Sequence, residues 1–101
     1  MLVGADGTVR YANPAAARLL GTRGDDLVGT DIWGSVSPND RPQIADWWER
    51  VLSRPGERLA TTTRFLTWGT TLRTLCVLGT NLLPDPEVRA VTVQLRAVDG
   101  V

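Results

Sequence analysis

The sequence predicts an α+β fold in which short helices cover one face of an antiparallel sheet. The strongest evidence is in the C-terminal third, because apolar and polar residues alternate through residues 87–98 as in a strand with one buried face. A second strand is predicted over residues 72–83, and Pro84-Asp85-Pro86 between the two is typical of a turn. The two strands should pair antiparallel. Since a lone hairpin is marginal in water, the upstream elements are expected to cover it.

The N-terminal part predicts two short strands and a helix. Residues 2–3 and 8–12 are the predicted strands, joined by a tight Asp-Gly turn, with Val9 and Tyr11 on one face of the second. A helix is predicted over Pro14–Leu20, because it follows an asparagine suited to capping, starts with proline and is followed by glycine.

The middle of the chain predicts helices and then one more strand. Short helical segments are expected near residues 25–27 and 30–36, and the longest helix over Arg41–Ser53, after further capping residues. Its apolar residues recur with helical spacing: Ile44, Trp47, Trp48, Val51 and Leu52. A strand over Arg58–Thr67 should turn at Trp68-Gly69-Thr70 into the C-terminal hairpin. Strands, then helices, then strands indicate α+β architecture.

Composition limits the function classes. The 101 residues are expected to form a single domain spanning residues 1–101. The 11 basic and 11 acidic residues cancel, which argues against nucleic-acid or anionic-membrane partners. No apolar run approaches the ~18 residues of a membrane span. The single Cys76 fits a reducing cytoplasm, and we predict a cytoplasmic location.

Catalysis has little support in the sequence. Histidine, the commonest general base and metal ligand, is absent. Asp25, Asp26, Asp31 and Asp40 fall in predicted loops or caps, where helix-start chemistry accounts for them. We therefore expect no enzyme activity and no metal site.

Three strings in order resemble the PAS sensor-domain family: DGTVRYANPAAARLLG, DIWGSVSPNDRPQI and GTNLLPDPEVRAVTVQLRAV. The resemblance covers nearly the whole chain. It implies a five-stranded sheet of order 2-1-5-4-3, with the strand at 87–98 in the centre. It also implies a bacterial sensory or dimerising module that regulates an attached output domain. Because this chain carries no output domain, we expect it to be one module of a larger signalling protein.

The resemblance further implies a ligand pocket between the long helix and the sheet. Its expected lining is apolar: Trp33, Trp48, Val51, Leu75, Val93 and Leu95. A small apolar ligand would suit such a lining. The alternative is that the same aromatic residues only fill the core. Histidine-ligated haem is excluded, and the flavin-binding motif of the family does not occur, so no cofactor is expected.

The strand over residues 72–83 is apolar on both faces. Leu75 and Val77 are expected to face the helices, which leaves the opposite face exposed with three further apolar residues: Leu72, Cys76 and Leu78. An exposed apolar patch usually marks an interaction site. We therefore predict a homodimer through this face. Two functions stay open: a ligand-sensing module, and a ligand-free protein-interaction domain.

Overall fold

Residues 1–67 and 71–98, which the computed structural model describes, form five strands and several short helices. The elements in chain order are β1 (Leu2–Val3), β2 (Val9–Tyr11), α1 (Pro14–Leu20), α2 (Gly24–Leu27), two 3₁₀ helices (Ile32–Ser35 and Pro38–Asp40), α3 (Arg41–Ser53), β3 (Arg58–Thr67), β4 (Thr71–Leu82) and β5 (Ala90–Ala97). The predicted turn at Trp68-Gly69-Thr70 lies outside the described residues. None of the helices within the described parts of the chain is long and apolar enough to cross a membrane.

The strands form one antiparallel sheet of order β2-β1-β5-β4-β3, which confirms the predicted α+β class and strand order. In its register, Val77 of β4 lies opposite Leu95 of β5, and Gly79 lies opposite Val93. Directly opposed residues share a face of the sheet. We call the face that carries Val77 and Gly79 the inner face, because α3 packs on it, and the opposite face the outer face.

β5 begins later than predicted, at Ala90 rather than near residue 87. The intervening residues form a compact turn, in which the Asp85 carboxylate accepts the Glu87 N–H at 2.8 Å and the Asp85 carbonyl accepts the Arg89 N–H at 2.9 Å. Arg89 has a φ of 51° and so closes the turn in the left-handed region. These local hydrogen bonds replace the strand pairing that the alternation predicted.

Helix α1 begins and ends at the predicted residues. The Asn13 side chain accepts the Ala16 N–H at 2.9 Å, and Gly21 ends the helix with a φ of 71°. The Asp31 carboxylate accepts the Trp33 N–H at 3.0 Å and caps the 3₁₀ helix Ile32–Ser35 in the same way. These caps place Ile32 in the core and Trp33 beside α3.

The prediction that Val9 and Tyr11 share a face is wrong. Val3 pairs with Val9, but the preceding Leu2 pairs with Tyr11, so β2 contains one extra residue, Arg10, between the two pairs. Such a bulge turns the following side chain to the other face. Val9 is buried as a result, whereas Tyr11 is 54% exposed.

The core lies between the inner face of the sheet and the helices. Its largest members have less than 2% of their surface exposed: Trp47, Phe65, Ile32, Leu75, Val3, Val9, Val36, Val51, Val77, Val91 and Val93. The stripe predicted on α3 supplies one side of this core, since Ile44, Trp47, Trp48 and Val51 are buried. The alternation predicted in β4 and β5 supplies the other side.

Asp40 does not cap α3, although capping chemistry was predicted just before this helix. Its Oδ2 accepts hydrogen bonds from the backbone N–H and the Nε of Arg64, both at 3.0 Å, and its Oδ1 accepts one from Nη2 at 3.0 Å. The Ser37 N–H donates to the Arg64 carbonyl at 2.8 Å. Residues 37–40 therefore cover part of the free edge of β3.

The Asp40–Arg64 pair predicts a pH dependence of stability. Hydrogen bonds from Arg64 lower the pKa of Asp40 below its ordinary value of 3.8. A lowered folded-state pKa contributes stability that is present above pH 3.8 and is lost as the pH falls through the folded pKa. Asp40→Asn should therefore destabilise the domain at pH 7 and flatten the decline of its thermal midpoint toward pH 3.

Asp46→Asn is the matched control for this prediction. Asp46 is exposed on α3, and no hydrogen bond or ion pair involves its side chain among residues 1–67 and 71–98. This variant should keep the pH profile of the parent domain. Identical profiles for Asp40→Asn and the parent would contradict the role of the pair.

Candidate functional site

Three tryptophans form one cluster where the 3₁₀ helix Ile32–Ser35 meets α3. The Trp33 ring lies 5.6 Å from Trp47 and 5.0 Å from Trp48, and Trp47 lies 6.0 Å from Trp48, measured between ring centroids. The Trp33–Trp47 pair is edge-to-face, a favourable aromatic arrangement. The cluster connects the surface of the domain to its core.

Trp47 occupies the space between α3 and the sheet. Only 1% of its surface is exposed, and a Cβ atom placed on Gly79 would lie 3.0 Å from its Cζ2 and Cη2 atoms. The ring therefore packs directly on the backbone of β4. The predicted pocket did not include Trp47, although a glycine inside a strand of larger residues can signal such a close approach.

Trp48 is buried as expected for its place in the stripe, with 9% of its surface exposed. Unlike Trp47, however, it is not among the nearest neighbours of Gly79. Its Nε1 donates to the Ala5 carbonyl at 3.1 Å, and its ring packs against Trp33. The β1–β2 turn also covers Trp33, since a Cβ on Gly7 would lie 3.0 Å from the Trp33 Cδ1 atom.

A cleft of about 360 Å³ opens beside these two rings, and we call it the Trp33–Trp48 cleft. Its lining comes from the 3₁₀ helix and from the first turns of α3: Asp31, Trp33, Gly34, Arg41, Ile44, Ala45 and Trp48. Arg41 forms part of the wall, because its Nε donates to the Val36 carbonyl at 3.3 Å and its Nη2 to the Gly34 carbonyl at 3.2 Å. The cleft is mainly aromatic and aliphatic, with one cation and one carboxylate.

The structure distributes the six predicted pocket residues over three places. Trp33 and Trp48 line the Trp33–Trp48 cleft. Val51 and Leu75 are fully buried in the core. Val93, which is also buried in the core, and the half-buried Leu95 lie on the inner face of β5, and both also line a different groove.

This second groove lies where β5 runs beside α1, and we call it the outer groove. It has a volume of about 570 Å³ and is lined by outer-face residues of the sheet (Arg58, Ala60, Cys76, Leu78, Gln94 and Arg96), by Val93 and Leu95 of β5, by Ala15, Ala16 and Leu19 of α1, and by Met1 and Asn13. The predicted division of β4 between its faces is present, since Leu75 and Val77 are fully buried while Cys76 and Leu78 are half-buried. Leu72, on the same face as Cys76 and Leu78, is 50% exposed.

Solved structures resemble this fold closely at low sequence identity. The PAS-B domain of Cycle from Drosophila melanogaster, determined with bound ethylene glycol, has a TM-score of 0.82 and 13% identity over 96% of this chain and 99% of that chain. A PAS domain of an HTR-like protein from Haloarcula marismortui has a TM-score of 0.77 and 16% identity, over 96% and 82% of the two chains.

A third similar structure comes from Geobacter sulfurreducens, as a domain of a sensory box sensor histidine kinase/response regulator. It has a TM-score of 0.68 and 22% identity over 91% of this chain and 76% of that chain. The comparison with curated proteins found no match. The family model of the PAS fold matches residues 1–99. The chain therefore belongs to the PAS family, whose members are generally signal-sensing or protein-interaction modules.

Proposed function

We propose that this PAS domain transmits a signal by self-association through the outer groove, and that it regulates an attached output domain by bringing two copies together. The observation that carries the proposal is the row of partly exposed apolar side chains on the outer face of β4. Leu78 and Cys76 line the groove, and Leu72 on the same face is half exposed. Partly exposed apolar surface of this kind is common at protein interfaces.

The packing of the interior supports an interaction role over ligand enclosure. Trp47 fills the space between α3 and Gly79, and Val51, Leu75 and Val93 have at most 1% of their surface exposed. An apolar ligand at this position would have to displace a fully buried indole. Of the two functions that the sequence left open, we therefore favour the interaction function, which requires no ligand enclosed in the core.

A second copy of the chain is the proposed occupant of the outer groove. In a two-fold dimer each copy offers the same patch, so one apolar surface covers the other. Arg58 and Arg96 also line the groove, and two like-charged pairs would repel if they were buried together. The contact should therefore centre on Leu78 and leave both arginines at the solvent-exposed rim, where salt screens them.

Leu78→Glu should shift the domain to a monomer, because it places a charge at the centre of the proposed contact. Sedimentation velocity over a range of concentrations measures the effect. Gln43→Glu is the matched control, since it adds the same charge at an exposed site on α3 and should leave the dimer intact. A parent domain that stays monomeric at high concentration, or a dimer indifferent to Leu78→Glu, would contradict this interface.

Native mass spectrometry distinguishes this proposal from ligand sensing in the core. The purified domain should have the mass of the polypeptide alone or of its dimer. A retained small molecule, together with chemical-shift changes at Val51, Leu75 and Val93 when it is removed, would favour the sensing function. The cytoplasmic location and the lack of enzyme activity stay predictions.

A further inference from the structure

We infer that the Trp33–Trp48 cleft binds a small aromatic carboxylate. The site lies between the 3₁₀ helix Ile32–Ser35 and the start of α3. It is separate from the outer groove, so it does not depend on the function proposed above. Its volume of about 360 Å³ lies within the range of about 300–1,000 Å³ that is usual for small-molecule sites.

The apolar part of the cleft suits a planar ring. Trp33 and Trp48 lie 5.0 Å apart at 58° and present two aromatic surfaces. Ile44 and Ala45 of α3 complete the apolar lining. An aromatic ring bound here gains both the burial of apolar surface and ring–ring contact.

The cleft is held in shape before any ligand arrives. The Trp48 Nε1–H donates to the Ala5 carbonyl, and Trp33 packs under Gly7, so the β1–β2 turn supports both rings. Gly7 has a φ of 85°, a conformation that suits glycine, which allows the turn to approach Trp33 this closely. A preorganised site loses less conformational entropy on binding.

Arg41 supplies the recognition of an anion. Hydrogen bonds to the Gly34 and Val36 carbonyls fix its guanidinium at the wall of the cleft. Those two bonds use two of its five N–H groups, which leaves donors for a ligand. Arg41 forms no ion pair with any residue in 1–67 or 71–98, so no carboxylate in this part of the chain occupies its remaining donors.

Asp31 is the other charged residue of the cleft, and its role is structural. One carboxylate oxygen accepts the Trp33 backbone N–H and caps the 3₁₀ helix. Its negative charge would favour a cationic ligand if it dominated the cleft. The preference of the site between an anion and a cation is therefore a direct test of the assignment to Arg41.

Three probes of similar shape and different charge make this test: indole-3-acetate, indole and tryptamine. Each is titrated into ¹⁵N-labelled protein, and the indole N–H signals of Trp33 and Trp48 are followed by NMR. Indole-3-acetate should shift both signals saturably and bind about tenfold more tightly than indole, as expected for a charge-assisted contact. Tryptamine should bind no better than indole. Absence of saturable binding of indole-3-acetate at millimolar concentration, or tighter binding of tryptamine, would overturn the inference.

Variants then assign the charge preference to Arg41. Arg41→Gln should reduce the affinity for indole-3-acetate to that for indole, whereas Arg50→Gln on the same helix should change neither. Ala45→Glu tests the site without removing the Arg41 hydrogen bonds, because Ala45 is exposed and only the new carboxylate should repel the ligand. Unchanged indole-3-acetate affinity in both Arg41→Gln and Ala45→Glu would overturn the inference, even if the self-association through Leu78 holds.

Discussion

Replacement of Trp47 by alanine is expected to lower the free energy of unfolding by about 3–5 kcal/mol, the range found for truncation of a buried large aromatic residue. Trp47 is 1% exposed, and its six-membered ring lies against the backbone of Gly79. Because Gly79 has no side chain that could move into the vacated space, the cavity should persist. Urea denaturation measures the loss, and a free energy of unfolding equal to that of the parent would contradict the packing described here.

Two further measurements separate the effect of the cavity from general disruption. Added indole should raise the thermal midpoint of Trp47→Ala more than that of the parent, since an apolar cavity accepts an apolar molecule. Trp47→Phe should cost much less than Trp47→Ala. The Trp47 Nε1–H is buried and has no hydrogen-bond partner within the described parts of the chain, so its removal relieves an unpaired donor.

The elements that the sequence predicts to the residue are those with local boundaries. Helix α1 starts after an asparagine that caps it and ends at a left-handed glycine. Helix α3 and strand β3 are separated by Pro55-Gly56, and both have the predicted bounds, Arg41–Ser53 and Arg58–Thr67. Caps, prolines and glycines act within a few residues, so a single sequence contains the information that fixes these boundaries.

Two predictions failed for different physical reasons, one in the register of paired strands and one in a local turn. The outward turn of Tyr11 results from a bulge opposite Leu2 and Val3, and nothing in the alternation of β2 indicates the extra residue. The late start of β5 results from hydrogen bonds inside the turn that begins at Asp85. Register is a property of two strands, and the pattern of one strand does not determine it.

The sequence also does not determine which of the two adjacent tryptophans of α3 faces the sheet. Trp47 and Trp48 both belong to the apolar stripe, and either could have faced the sheet. The orientation of α3 directs Trp47 toward Gly79 and Trp48 toward Ala5 and Trp33. Arg41 was one of several dispersed arginines in the sequence, and only its hydrogen bonds to Gly34 and Val36 place it at a cleft.

Gly79→Val is expected to destabilise the domain by about 3 kcal/mol, at the upper end of the usual cost of overpacking. The new Cβ atom alone would lie 3.0 Å from two atoms of the Trp47 ring and 3.5 Å from Val51 Cγ2. Since Trp47 is fully buried, its ring cannot move aside without disturbing its neighbours. Thr80→Val is the matched control: Thr80 is the next residue of β4, points to the outer face and should tolerate valine within about 0.5 kcal/mol.

The double variant Gly79→Val/Trp47→Ala should lose less unfolding free energy than the sum of the losses in the two single variants. The valine side chain would occupy part of the cavity left by the indole, and the cavity would remove the clash that penalises valine. Contacting residues typically show coupling energies of about 0.5–3 kcal/mol, and this pair should lie in the upper half of that range with a stabilising sign. A double-mutant cycle measured by urea denaturation gives the coupling directly. Additive effects would mean that Trp47 does not pack on Gly79. The space between α3 and β4 would then not be filled by the indole ring.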